Sequence, residues 1–334
     1  GLIMATYKEI KGTQIEVLAS DPSNPIEGQV WFNSTDNVLK GRISNPAGSW
    51  STANSINTAR GALAGAGTTT AAIVLGGEAP PYNAQTETWN GTNWTEVNDL
   101  NVARAHMGAV GTTTAALGFG GIVDPSPQPT INISLTELWN GTNWTEVNDM
   151  NTGRYGVRGA GTQTAALGTA GNIHGVGVSN TNETWNGTNW TEVNDMNTGR
   201  TEGSAFGATN TESLYAGGSS GATVYAQTES WNGTNWTEVN DLNLARNTTG
   251  GNGIQTSGII YGGNKPPPVG ALTEQWNGTN WTEVADLSTA RGRMGAAGTS
   301  GNVALAAGGY TPPSTAVTEE FVSPLESTVT FTDS

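Results

Sequence analysis

Trp139-Asn140-Gly141-Thr142-Asn143-Trp144-Thr145-Glu146-Val147 is one of five unaltered copies of a nonapeptide, and its reading decides the fold. The copies begin at Trp89, Trp139, Trp185, Trp231 and Trp276, at spacings of 50, 46, 46 and 45 residues. A period of that size marks an architecture built from one supersecondary unit per repeat. A nonapeptide used five times serves five equivalent surroundings, so it is scaffold. Function is to be sought in what differs between the copies.

Working outward, Thr-Glu-x-Trp precedes the nonapeptide (Glu87, Glu137, Glu229, Glu274), with variants at Glu183 and Glu319. Downstream, Asn-Asp-Leu/Met-Asn-x-x-Arg ends at Arg104, Arg154, Arg200 and Arg246, and Arg60 and Arg291 end looser versions. An apolar run then leads to Gly76-Gly77, Gly120-Gly121, Gly217-Gly218, Gly262-Gly263 or Gly308-Gly309, with Ala170-Gly171 in the odd position. Each unit reads as four short strands, a to d; in the second unit these are 106–110, 115–120, 135–139 and 143–147. Asn140-Gly141 predicts a two-residue type I′ turn. That turn would set Trp139 opposite Thr142 and Glu137 opposite Trp144. Alternation then puts both indoles on one hairpin face, diagonally adjacent, for packing between neighbouring sheets.

Arg104, Gly120-Gly121, Glu137-Leu138-Trp139, Trp144, Met150 and Arg154, in that order, resemble the kelch repeat, and the resemblance spans residues 43 to 322. The c–d turn is shorter than in kelch repeats, and Trp139 stands where they carry Tyr. The resemblance implies an all-β fold: a six-bladed kelch-like β-propeller with a short N-terminal β-hairpin extension. Such propellers host unrelated functions, so the resemblance implies fold and not activity. The sixth unit ends at Phe321 without a strand d, and Trp50 lies in an orphan strand d. Pairing the two closes the ring and protects its edges. Seven blades are the alternative, with 29–33, 38–43, Trp50 and 328–332 as the extra blade. The expected division is an attachment segment, 1–42, and a propeller, 43–334. Each repeat arginine is expected to be buried and bonded to carbonyls or to a repeat glutamate, because a buried guanidinium needs several acceptors.

Composition narrows the function. The chain has 334 residues, of which 12% are charged, and no apolar segment long enough for a transmembrane helix, so no membrane insertion is expected. With no cysteine there is neither a disulfide framework nor a thiolate site. A net charge of −15 argues against nucleic acid or anionic membrane as partner. His106 and His174 fall in different units with no carboxylates assignable to either. Glu96, Asp99 and their repeats read as solvated or turn-capping groups rather than the paired acids of glycoside hydrolysis. No catalytic residue, metal or cofactor is therefore expected.

Met4 reads as a natural start behind Gly1-Leu2-Ile3, and no conventional secretion signal is visible. The phrase from Asn24 to Gly41, with Trp31-Phe32-Asn33-Ser34-Thr35 at its centre, resembles a hairpin phrase of tailed-bacteriophage virion proteins. It implies a virion structural protein, on a tail fibre or the particle surface, joined to other virion proteins through residues 4–43. The b–c loops differ in every unit (78–84, 122–134, 172–181, 219–226, 264–271, 310–316) and hold ten of the fourteen prolines. Stiff variable loops on a rigid scaffold suit recognition. Tyr82, Asp124, His174, Tyr225, Lys265 and Tyr310 are the expected contacts to a host-surface glycan or protein. A cellular kelch scaffold or lectin is the alternative, and a hydrolase the third reading.

Overall fold

A computed structural model describes residues 15–22, 29–43, 47–79, 81–123, 131–264, 269–323 and 327–331. Among them all extended regular structure is strand. The chain divides into two compact units, Gly1–Pro46 with Pro324–Ser334, and Ala47–Ser323. The C-terminal strand Ser327–Phe331 pairs with Val38–Ile43 and so belongs with the N-terminal unit. The boundary expected at 42/43 places this strand with the propeller, and its pairing corrects that division.

In the larger unit, six four-stranded antiparallel sheets follow one another among the described residues. The second sheet shows the plan: Gly108–Thr112, Ala115–Phe119, Thr136–Trp139 and Trp144–Val147 pair in the order a, b, c, d. The sixth takes Gly295–Ser300, Val303–Ala307 and Thr318–Val322 from one end of the unit and Ser49–Ala53 from the other, with Phe321 opposite Trp50. First strands of successive sheets pack on one another in a closed cycle. This is a β-propeller. The strands proposed for a seventh blade do pair, but in the smaller unit. There Val30–Asn33, Val38–Ile43 and Ser327–Phe331 are joined by Glu16–Leu18 and not by Trp50.

The c–d turn differs from the two-residue turn that Asn140-Gly141 suggests. Trp139 pairs with Trp144 and Glu137 with Glu146, leaving a four-residue loop, 140–143. Gly141 has φ +91°, while Asn140 keeps negative φ, so the type I′ requirement for two positive φ values is unmet. The Asn140 side-chain oxygen instead accepts from the backbone N–H groups of Thr142 and Asn143, an Asx turn. The paired indoles are therefore directly opposite, with centroids 5.3 Å apart, rather than diagonal.

The apolar core is a set of clusters lying between adjacent sheets. One of them joins Ile73 and Leu75 of the first sheet to Met107, Trp139 and Trp144 of the second. The Trp144 indole donates to Thr86 Oγ1 of the first sheet, and Trp94, Trp190 and Trp281 each make the same bond to the sheet before their own. Both indoles of each pair are buried, which removes them as a sugar-stacking surface.

All six repeat arginines are buried and paired with a repeat glutamate: Arg60–Glu87, Arg104–Glu137, Arg154–Glu183, Arg200–Glu229, Arg246–Glu274 and Arg291–Glu319. Glu137 shows the wiring. Its Oε1 accepts from Arg104 Nη1 at 2.5 Å, and its Oε2 accepts from the backbone and side-chain amides of Asn101. Asn101 and Arg104 both belong to the segment arriving from the first sheet, so one carboxylate ties the incoming chain to strand c of the next. Asp99 caps the backbone N–H of Thr86 in its own sheet. Its repeats Asp149, Asp241 and Asp286 do likewise, in the turn-capping role that sequence suggests.

In the smaller unit, Asp21 accepts from Trp31 Nε1, Asn33 Nδ2 and Lys40 Nζ, and Asn33 Oδ1 accepts from the backbone N–H groups of Thr35 and Asp36. The hydrogen bonds from Asn33, Lys40 and Trp31 hold the Asp21 carboxyl down at about 2.

Three outcomes test this account. Arg104→Met strands a buried carboxylate and should lower the urea unfolding free energy by about 3–5 kcal/mol. Trp50→Ala should cost about 3–5 kcal/mol in the same assay, because it empties the closing seam. For Asp21 the folded pKa lies below the unfolded value of 3.8, so its stabilising contribution is complete above that pH and is lost as the pH falls towards 2. The Trp31 indole N–H resonance should hold its shift from pH 7 to pH 4 and move only below about 3.

Candidate functional site

Two residues after each repeat arginine the backbone turns left-handed, at Ala62, His106, Gly156, Glu202, Thr248 and Arg293, with φ between 52° and 67°. For a non-glycine residue that conformation costs roughly 1–2 kcal/mol. The strain is held by neighbouring blades. Ala62 N–H donates to Arg293 O, His106 to Ala62 O, Gly156 to His106 O, Thr248 to Glu202 O and Arg293 to Thr248 O. These bonds run around the mouth of the central channel, so six equivalent positions meet there with six different side chains.

The larger side chains converge. His106 Nε2 lies 2.8 Å from Glu78 Oε1, and His106 Nδ1 lies 3.8 Å from Glu202 Oε1. Arg293 Nη1 is 3.4 Å from Glu78 Oε2, and Arg293 Nη2 is 3.9 Å from Glu202 Oε1. His106, Glu202 and Arg293 enter from the second, fourth and sixth sheets, so contacts this short place them together near the axis. Tyr155 stands edge-on to the His106 ring at 6.0 Å, and Arg293 lies over the Tyr310 ring at 5.9 Å. The hydrogen bond from His106 is the largest influence holding the Glu78 carboxyl below its usual range, against the opposing effect of burial. Arg293 and Tyr310 also line a recess of about 200 Å³ with Thr248, Asn264 and Gly292.

Sequence places His106 in strand a and assigns it no carboxylate neighbours. Strand a begins at Gly108, and His106 sits in the left-handed turn before it, beside Glu78 and Glu202. Among the described residues no group of three or more histidines and carboxylates has the geometry of a metal site.

The predicted contact residues scatter. Tyr310, 38% exposed, reaches the mouth cluster. Tyr82 is half-buried against Ala62, Ala105 and Ile122. Tyr225 is half-buried and fixed through its backbone to Gly218 and Arg246. His174 is exposed, beside a shallow recess shared with Ser134 and Asp149. Asp124 and Lys265 lie outside the described residues. The b–c loops are thus only part of the diverse face. The rest comes from the d–a turns, where comparing the units at the second residue after each arginine would have exposed the difference.

No family model matches the chain, and no curated protein does. A solved structure described as "Structure of YjhT" is similar, with TM-score 0.64 and 12% identity, covering 81% of this chain and 96% of that one. The likeness is one of fold.

Glu78→Gln tests the mouth cluster. The folded carboxyl titrates below its ordinary value of 4.5, so its contribution is complete above that value and disappears as the pH falls through the depressed one. The stability gap between wild type and variant, read by urea titration, should be present at pH 5.5 and shrink as the pH falls below 4.5.

Proposed function

We propose that this chain is a non-enzymatic recognition protein of a phage particle, a six-bladed kelch-type propeller that contacts a host-surface glycan or protein. The observation that carries the reading is how the repeat chemistry is spent. The repeated Arg, Glu, Asn and Trp residues are turned inward to hold adjacent sheets together, whereas the non-repeated side chains gather on one face. Discrimination between partners needs such differences. The opposite face repeats the same 140–143 type of turn and offers little to discriminate with. The virion setting rests on the resemblance of the phrase from Asn24 to Gly41, whose Trp31, Asn33 and Lys40 meet at Asp21 in the smaller unit.

Mass spectrometry of purified particles should find the chain as a stoichiometric component; its absence there rejects the virion setting. On host cells or a glycan array, the double variant Arg293→Ala/Tyr310→Ala should weaken binding at least about tenfold, roughly 1.4 kcal/mol. Alanine suits that backbone position, as Ala62 shows, so the melting temperature should stay within about 4 °C. Thr92→Ala and Thr142→Ala, on the repeated turns, should leave binding intact. The opposite pattern would put the contact surface on the wrong face.

A further inference from the structure

Four residues after each repeat arginine stand Ala64, Gly108, Arg158, Ser204, Gly250 and Gly295. Five are small and one is an arginine. Two of the small ones have a ring across from them: a Cβ at Gly108 or Gly250 would meet the ring of Phe119 or Tyr261 at 2.5 Å. In the third sheet the residue paired across from this position is Thr169, which leaves room for a long side chain. Arg158 therefore lines the channel behind the mouth cluster, in the wall of a cavity of about 80 Å³ that also includes Ser204, Thr249 and the backbone of Gly159 and Gly251.

Unlike the repeat arginines, Arg158 has no carboxylate within salt-bridge distance among the described residues. Its Nε donates to Gly203 O at 2.7 Å, and Nη1 makes only a 3.5 Å contact to Val157 O. Burial pushes its pKa down, with Tyr215 and Glu202 opposing from a distance. Glu202 itself is turned to His106 and Arg293. The Ser204 and Thr249 hydroxyls, 2.8 Å apart, add polar groups to the same wall. A wider space of about 260 Å³, walled by glycine and small apolar residues, adjoins this cavity along strand a and shares Gly65, Ala109 and Gly159 with it.

We infer that the channel holds a binding site for a halide-sized monovalent anion, with the Arg158 guanidinium as its cationic contact and the Ser204 and Thr249 hydroxyls beside it. A guanidinium in a confined space keeps its charge at least cost when an anion neutralises it. The cavity of about 80 Å³ beside the guanidinium has room for one small ion. This site is independent of what the outer face binds.

The test is chloride binding in solution and bromide in the crystal. Excess ³⁵Cl linewidth should appear with the wild-type chain, fall away on bromide addition, and be lost in Arg158→Met with far-ultraviolet dichroism unchanged. Crystals soaked in sodium bromide should show an anomalous peak within hydrogen-bond reach of the Arg158 guanidinium. The crystal measurement needs no variant, so it decides the matter even if Arg158→Met fails to fold. Linewidth that survives in a folded Arg158→Met, or no bromide at Arg158, overturns the site. Bromide there without any solution linewidth effect means an adventitious ion only, and also overturns it.

Discussion

Everything in the propeller depends on a carboxylate shared by two pieces of chain. Glu137 belongs to strand c of one sheet, yet its acceptors are filled by Asn101 and Arg104, which arrive from the sheet before. A buried ion pair of this kind is weak evidence for stability, because desolvation offsets the attraction. One guanidinium nitrogen of each repeat arginine is also left without an acceptor, Nε in five and Nη2 in Arg60. What the pair contributes is register. Only one placement of the incoming loop satisfies both carboxylate oxygens, and a slipped sheet would leave charge buried and unpaired.

Register at each seam fixes what lies above it. Once Arg104 is anchored, the next residues can only climb to the channel mouth through a left-handed turn. In five of the six turns the carbonyl then receives the N–H of its neighbour. Five strained positions and one glycine are thereby tied into the ring by five bonds between blades rather than by their own side chains. Those side chains are consequently free to vary without loss of the turn, as Ala62, His106, Glu202, Thr248 and Arg293 demonstrate. A rigid ring with unconstrained chemistry at its rim is a physical basis for recognition on a repetitive scaffold.

How much of this the sequence reveals follows from the same division. The arginine–glutamate burial, the Trp50 seam and the inter-sheet packing of the indoles are legible, because each arises from a repeated local pattern with one good physical solution. The turn at 140–143 is not, since Asn-Gly is compatible with both a two-residue I′ turn and an Asx-capped loop, and the choice lies in the φ of Asn140. The mouth cluster is hidden for a different reason. Glu78, His106, Glu202 and Arg293 are far apart in sequence and converge only because the ring closes. The partner of the C-terminal strand Ser327–Phe331 is not legible either, because a strand of this length carries little information about which strand it joins.

Closure also explains why singular chemistry arises at all. In a six-fold ring any residue near the axis has five equivalents within reach, and like charges there would repel. The rim avoids this by alternating Ala62, Gly156 and Thr248 with His106, Glu202 and Arg293, so that groups of opposite sign can meet. The channel behind it carries a single cation: Thr169 stands across from Arg158, where Phe119 and Tyr261 stand across from Gly108 and Gly250. Repetition sets the frame, and departures from it can carry chemistry only where the frame brings distant blades into contact.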